Sequence, residues 1–246
     1  MPNLKIAVAQ VPSIKGGIEE NINTHLVAIE KASQVGVSYI VFPELSLTGY
    51  EPELAISLAF SRDDIRLKPI IDLAVKNNIQ VAVGAPLQAE KLPKIGLIII
   101  SPTGAIEFYE KMNLHSGERK YFSAGTNYHF VTIGTEKIAN AICADMNNTQ
   151  HAKYCFDSDA SVYIAGAVIS KNGYEADTQL MSQYATEYNM LVAMANHNQP
   201  TGSWEPIGRS AIWSKSGLLA SASKTQNAIV VAEREDGKWS GQVFEI

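Results

Sequence analysis

FPELSLTGY, residues 42–50, places a carboxylate directly behind a run of β-prone apolar residues. The run 37–42 predicts a buried strand, and the turn-forming residues that follow Glu44 predict that the strand ends there. A buried carboxylate is costly unless it is paired or takes part in chemistry. Glu44 is therefore either a member of a structural ion pair or loop hydrogen bond, or a functional group, and this stretch alone leaves both interpretations open.

On both sides of this stretch, apolar runs alternate with helical patterns. Strands are predicted at 4–9, 37–42, 79–84, 95–100, 105–109, 128–133, 137–143, 160–165, 190–195, 208–213, 218–223 and 227–233, and helices at 18–36, 62–77, 147–157 and 174–188. Near-continuous apolar strands need cover on both faces, as in layered α/β folds. Because the two halves share this rhythm and no linker separates them, we expect one domain, residues 1–246, with two packed sheets and helices outside.

The composition excludes several classes of protein. With 18% charged residues and a net charge of −5, the chain lacks the basic footprint of a nucleic-acid-binding protein. Its longest apolar run, 95–100, is too short to span a bilayer, and its N-terminal run is too short for a signal peptide. Two cysteines, Cys143 and Cys155, form neither a disulfide framework nor a zinc-binding pair. We therefore expect a cytoplasmic protein with free thiols, no metal and no membrane or nucleic-acid partner.

Cys143 ends the apolar strand KIANAIC, where a thiol can be either a small buried hydrophobe or a nucleophile. A helix starting just after it would favour the thiolate through its N-terminal N–H groups. A nucleophilic cysteine also needs a base. No histidine lies in a papain-like or caspase-like motif, although a Cys–His enzyme stays possible; the five are His25, His115, His129, His151 and His197. The carboxylate of Glu44 is the alternative base.

Lys111 directly follows the predicted strand 105–109 and its Glu110. A lone lysine there is often a solvated edge residue. Three predicted strand ends, however, now carry Glu44, Lys111 and Cys143, and ligands of open α/β sheets bind at the carboxyl ends of strands. The carboxylate could take the thiol proton, and the ammonium with the Ala144 N–H could hold an oxyanion.

These stretches resemble the nitrilase superfamily of carbon–nitrogen hydrolases over nearly the whole chain. FPELSLTGY corresponds to the motif of the general base (Glu44), YEKMNLHSGERKYFSAG to that of the catalytic lysine (Lys111), and AICAD to that of the nucleophile (Cys143). Glu118, in GERKYFSAG, matches the second glutamate with which family members position the site. The late segment NHNQP…IGRSAIWSKSGLLA is also similar to the family's pattern.

The resemblance implies an α/β fold, a four-layer αββα sandwich of the nitrilase type, that forms a homodimer or higher homo-oligomer through its helical face. It also implies hydrolysis of a small-molecule amide without a cofactor. Cys143 would attack the amide carbon, ammonia or an amine would leave, and water would hydrolyse the thioester, with Glu44 acting first as acid and then as base.

Departures from the family pattern limit the substrate. After Cys143 the chain has Ala144 in place of a bulky residue, and it lacks the arginine expected for N-carbamoyl amino acids and the Trp-Glu pair of true nitrilases. A small linear amide is therefore favoured. An N-carbamoyl amine hydrolase and a non-catalytic binding member of the family stay as alternatives.

Five residues are candidates for contact with substrate: Tyr50, Ala144, Asn147, Gly166 and Ala167. Tyr50 could instead pack under the loop, and Asn147 could cap the following helix. Gly166 and Ala167 follow the strand YIAG at the next predicted strand end. Asp145 and Tyr163 are expected to be structural.

Overall fold

The computed structural model describes residues 4–246, in which thirteen strands and five α-helices are connected by loops and short 3₁₀ turns. The strands are β1 (Leu4–Gln10), β2 (Tyr39–Val41), β3 (Gln80–Leu87), β4 (Lys94–Ile100), β5 (Ile106–Glu110), β6 (Phe130–Ile133), β7 (Glu136–Ile142), β8 (Val162–Ala167), β9 (Leu191–Asn196), β10 (Ala211–Ser214), β11 (Gly217–Ser221), β12 (Ala228–Glu235) and β13 (Lys238–Glu245). The helices are α1 (Ile18–Gln34), α2 (Ala55–Leu58), α3 (Lys68–Asn77), α4 (Thr149–Asp157) and α5 (Lys171–Glu187).

Two mixed sheets form the centre of the molecule. One has the order β13-β12-β1-β2-β3-β4-β5 and the other the order β11-β10-β9-β8-β7-β6. In each sheet the middle is parallel, β1 with β2 and β3 in one and β7 with β8 and β9 in the other. The outer strands are antiparallel.

Three layers of apolar contacts separate four layers of secondary structure. The first joins the facing sides of the two sheets, the second joins the seven-stranded sheet to α1 and α3, and the third joins the six-stranded sheet to α4 and α5. The alternation along β1 shows how one strand serves two layers, because Ile6 and Val8 point between the sheets while Ala7 and Ala9 point at the helices. The predicted αββα sandwich is confirmed.

Several predicted boundaries are wrong for local reasons. The strand predicted at 208–213 begins only at Ala211, because Gly208 and Arg209 have φ values of 67° and 54°, outside the β region. The helix predicted at 62–77 begins at Lys68, after a 3₁₀ turn over Ile65–Leu67. Strand β13 was not predicted, since Gly241 interrupts the apolar alternation of this edge strand.

The direction of the strands brings four chain segments to one edge of the sandwich. β5 is antiparallel to β4, which is antiparallel to β3, so β5 runs in the same direction as β2. The carboxyl ends of β2 and β5 therefore lie on one edge of the seven-stranded sheet. The segments after β7 and β8 face them from the other sheet. Within residues 4–246, no helix is long and apolar enough to cross a membrane.

Candidate active site

A buried lysine joins two buried glutamates at this edge. The Nζ of Lys111 lies 2.6 Å from Oε1 of Glu44 and 2.6 Å from Oε1 of Glu118. All three side chains are at most 2% exposed. Charged groups withdrawn from water to this extent persist only when they are paired and hydrogen-bonded. Lys111 is therefore not the solvated edge residue that a lone lysine at a strand end often is.

Glu118 is held by three donors. Its Oε1 accepts hydrogen bonds from Lys111 and from the Tyr50 hydroxyl at 2.7 Å, and its Oε2 accepts one from the His115 backbone N–H at 2.7 Å. Its oxygens are therefore occupied. Glu44 differs, because its Oε2 is buried and has no hydrogen-bond partner within residues 4–246. Of the two carboxylates, Glu44 is the one with an oxygen available to take a proton.

The surroundings shift the pKa values of both Glu44 and Lys111. Burial raises the pKa of Glu44 to about 7; the Lys111 ammonium opposes this shift and Glu118 adds to it. Burial alone would lower the pKa of Lys111, but the charges of Glu44, Cys143 and Glu118 outweigh it, and the net pKa is raised. Lys111 is thus a permanent cation, while Glu44 can gain and lose a proton near neutral pH.

Cys143 lies at a sharp turn between β7 and a short 3₁₀ turn, Cys143–Asp145. Its φ of 44° lies in the left-handed region, which costs a non-glycine residue about 1 kcal/mol and occurs preferentially at functional sites. The thiol lines a cavity that Glu44 and Glu118 also line. The turn therefore presents the sulfur to the cavity that the two glutamates line.

The expectation that a following helix would favour the thiolate is wrong. The next α-helix begins only at Thr149, and its cap is Asn148, whose side chain accepts a hydrogen bond from the Gln150 N–H at 3.0 Å. Burial, followed by the charge of Glu44, raises the pKa of Cys143 well above its ordinary value, and Lys111 only partly opposes this. The resting residue is consequently a thiol that needs a base.

The histidines do not supply that base. The Cys143 thiol donates to the Val168 carbonyl oxygen at 3.8 Å, and Glu44 and Lys111, not a histidine, are the charged groups that shift its pKa most. His197 holds the Glu44 backbone instead, since its Nε2 lies 2.8 Å from the Glu44 carbonyl oxygen. Burial lowers its pKa to about 4, so it is neutral near pH 7. The carboxylate of Glu44 is the base that the geometry favours.

Asp145 connects the two strand ends that carry Lys111 and Cys143. Its Oδ1 accepts hydrogen bonds from the backbone and side-chain nitrogens of Asn113 at 2.8 and 2.9 Å. Its Oδ2 accepts from the Tyr109 hydroxyl at 2.6 Å and from the Ile142 N–H at 3.0 Å. Tyr109 and Asn113 flank Lys111, and Ile142 and Asp145 flank Cys143. The fully buried carboxylate therefore positions the lysine segment relative to the turn that carries Cys143.

Gly166 and Ala167 do not line the cavity. The prediction that they contact substrate is therefore corrected. A Cβ on Gly166 would clash with the Phe42 carbonyl oxygen, so this glycine allows the end of β2 to approach β8. Ala167 is buried on the opposite face of the sheet, among the residues packed against α4 and α5. The cavity wall is formed instead by the next residues, from Val168 onward.

The cavity has a volume of about 450 Å³ and contains most of the predicted residues. Tyr50, Ala144 and Asn147, which the sequence predicts to contact substrate, line this cavity. The sequence did not identify several other residues of the wall: His115, Val168, Ile169, Ser170, Asn172, Gly173, Asp177 and Trp204. Asp177 and Trp204 carried no signal, because a polar helix position and a loop aromatic each have common structural roles.

Comparison with known families agrees with this geometry. The model of the carbon-nitrogen hydrolase family matches residues 5–239. This chain belongs to the carbon–nitrogen hydrolase family. This membership agrees with the resemblance to the nitrilase superfamily that the motifs around Glu44, Lys111 and Cys143 carry.

Curated relatives of this carbon–nitrogen hydrolase are distant. The glutamine-dependent NAD(+) synthetase of Thermotoga maritima is 25% identical over 84% of this chain, which spans 37% of that protein. The omega-amidase YafV of Escherichia coli is 26% identical over 67% of this chain, which spans 64% of that protein. The chain thus covers less than two thirds of the length of either relative.

Solved structures share the fold at low sequence identity. A mutant of the amidase from Nesterenkonia sp. AN1, with the acetamide moiety of fluoroacetamide added covalently at its active-site cysteine, superposes with a TM-score of 0.87. It is 18% identical, and the match covers 95% of this chain and 91% of that one. Another structure of the same amidase, in complex with butyramide, gives a TM-score of 0.86 at 18% identity and covers 95% and 92% of the two chains.

We expect Asp145→Asn to lower the free energy of unfolding by about 2–4 kcal/mol, because the amide nitrogen would face N–H and O–H donors that now bond a carboxylate. Urea titration measures this change. Asp157→Asn, on the exposed ion pair with Lys153, is the matched control and should leave stability almost unchanged. Equal stability of the two variants would contradict the positioning role of Asp145.

Proposed function

We propose that this carbon–nitrogen hydrolase cleaves a small linear amide through a thioester on Cys143. The observation that carries the proposal is the free, buried Oε2 of Glu44 beside a thiol that lines the same cavity. A cysteine with a raised pKa becomes a nucleophile only if a base removes its proton as it attacks. Glu44, with a pKa near neutrality, is suited to take and return that proton.

The first half of the reaction forms the acyl-enzyme. Glu44 takes the proton from the Cys143 sulfur while the sulfur bonds to the amide carbon and the carbonyl oxygen becomes an oxyanion. The C–N bond then breaks as Glu44 donates this proton to the leaving nitrogen. Ammonia departs and a thioester remains on Cys143.

The second half of the reaction regenerates the enzyme. Glu44 accepts a proton from water as the water oxygen bonds to the thioester carbon. The C–S bond then breaks, a carboxylic acid leaves, and the proton returns to the sulfur. Glu44 thus alternates between base and acid without a net change in protonation.

The oxyanion is stabilised by Lys111. An ammonium has three donors, and Glu44 and Glu118 each accept one of them, so one N–H is left for the developing charge. The backbone N–H of Ala144, directly after the nucleophile, is the second donor in this proposal. Glu118 and Tyr50 act as positioning residues. Glu118 accepts a hydrogen bond from Lys111, and Tyr50 donates one to Glu118.

We also propose that the protein forms a dimer through the face of α4 and α5. Two aromatic side chains of α4 are exposed there, Tyr154 by 48% and Phe156 by 41%. Each stacks on another aromatic ring: Tyr154 on Tyr128 at 3.8 Å and Phe156 on Tyr188 at 4.9 Å between centroids. Such a preordered apolar surface is suited to an interface.

The reaction is tested by measuring ammonia release from a panel of short amides, a carbamoyl amine and a nitrile. We expect wild-type protein to hydrolyse an amide and Cys143→Ala to lose at least about 10³-fold in kcat. Cys155→Ala, which removes the second thiol of the chain, a buried one outside the cavity wall, should retain activity. Silence of wild type on every compound, or equal rates for the two variants, would contradict the proposal.

The pH dependence should report Glu44. Because only the carboxylate form can take the thiol proton, we expect kcat/KM to rise with pH and level off above about pH 7. Below that value it should fall about tenfold per pH unit. Glu44→Gln should lose at least about 10²-fold in rate and this dependence with it. A residual profile with the same midpoint would exclude Glu44 as the titrating group.

Sedimentation velocity tests the proposed dimer. We expect wild-type protein to sediment as a dimer or larger oligomer and Phe156→Asp to shift it toward the monomer, because a charge would be buried in the interface. Ile65→Asp adds the same charge at an exposed residue, 77% accessible, away from this face and is the control. A monomeric wild type would overturn the assignment.

A further inference from the structure

One carboxylate in the cavity wall has no part in the proposed reaction. Asp177 lies in the second turn of α5, is half-buried, and lines the cavity together with Cys143 and Ala144. A charged side chain in a partly buried wall is unfavourable unless a partner of opposite charge or a set of hydrogen bonds stabilises it.

Within the described residues, Asp177 has no cationic partner. The amide nitrogen of Asn147 donates a hydrogen bond to its Oδ1 at 2.7 Å, and this neutral group holds the carboxylate in place. Burial raises the pKa of Asp177, and the hydrogen bond from Asn147 opposes the shift. The site therefore fixes a negative charge without neutralising it.

The rest of the cavity does not neutralise this charge either. Neither lysine nor arginine belongs to its wall, as far as residues 4–246 are concerned. The nearby Lys111 already serves two carboxylates, so that group of three residues contributes no surplus positive charge. Among the acidic, lysine and arginine side chains, the described wall thus contains carboxylates only, which favours a cationic group over an anionic one.

Aromatic rings complete the surroundings. Tyr50 and Trp204 both line the cavity, with their ring centroids 6.2 Å apart in an edge-on arrangement. The faces of aromatic rings attract ammonium groups electrostatically, and neutral groups gain no such attraction. An acidic side chain and two aromatic rings in one cavity form a set that is typical of a cation-binding site.

We propose that Asp177 recognises an ammonium group on the acyl part of the substrate, and that the cavity discriminates against amides that carry a carboxylate. This specificity rests on the proposed function: when ammonia is the leaving group, the rest of the substrate belongs to the acyl part and occupies the cavity. The substrate class is then that of ω-amino amides and related cationic amides.

Three amides of equal chain length test the proposal: 4-aminobutanamide, which is cationic, pentanamide, which is neutral, and succinamate, which is anionic. We expect kcat/KM to fall in that order for wild-type protein. In Asp177→Asn the ratio of the cationic to the neutral amide should drop about tenfold, since a charge-assisted contact becomes a neutral one. The asparagine can still accept the hydrogen bond from Asn147, so the local shape is kept.

Glu175→Gln is the matched control. It removes one negative charge from an exposed position of the same helix that does not belong to the cavity wall, and it should leave the ratio unchanged. An equal drop in both variants would show a general field effect and overturn the role of Asp177. A wild-type preference for succinamate, or a ratio that Asp177→Asn does not alter, would also overturn it.

Binding to the Cys143→Ala variant separates this proposal from the proposed function. Isothermal titration calorimetry with the same three amides measures recognition without turnover, and adding Asp177→Asn should remove the preference for the cation. If wild-type protein hydrolyses none of the three amides but Cys143→Ala binds the cationic amide most tightly, the proposed hydrolysis is overturned and the ammonium site is supported. Equal binding of all three would overturn the site, whatever the hydrolysis shows.

Discussion

The ion cluster of Lys111 with Glu44 and Glu118 is the interaction on which the site depends. Taking three charged groups out of water costs several kcal/mol for each, and only close contacts return that energy. Two carboxylates and one ammonium leave a surplus negative charge when all are ionised. Burial explains why Glu44 holds a proton up to about pH 7, because it outweighs the opposing effect of the Lys111 ammonium, and the charge of Glu118 adds to it. The burial that raises this pKa makes Glu44 suitable for moving a proton.

The cluster works only because two sheets meet at it. Glu44 and Lys111 follow strands β2 and β5 of one sheet, and Cys143 follows β7 of the other. Asp145 fixes the distance between the Lys111 segment and the Cys143 segment through hydrogen bonds to both. Gly166 lets the end of β2 approach β8. The inter-sheet packing that stabilises the fold is thus also what positions Cys143. A mutation in that packing should affect stability and catalysis together.

Periodicity predicted two packed sheets with helices outside, and the polar residues at strand ends suggested that Glu44, Lys111 and Cys143 lie close together. The αββα sandwich and the roles of these three residues came from the resemblance to the nitrilase superfamily. Two features escaped because they depend on contacts between sheets or helices. Gly166 was assigned to the substrate but serves the approach of a neighbouring backbone. Asp177 was missed, since a helix period does not show that α5 turns a carboxylate toward the cavity.

The central claim, that the cluster serves a covalent reaction on Cys143, is tested by stopping the protein in acid during hydrolysis of a short amide. Mass spectrometry of the peptides then locates any acyl group. We expect an added acyl mass on the peptide that contains Cys143, and none on the peptide that contains Cys155. Turnover of the amide with Cys143 unmodified and still open to alkylation would contradict it.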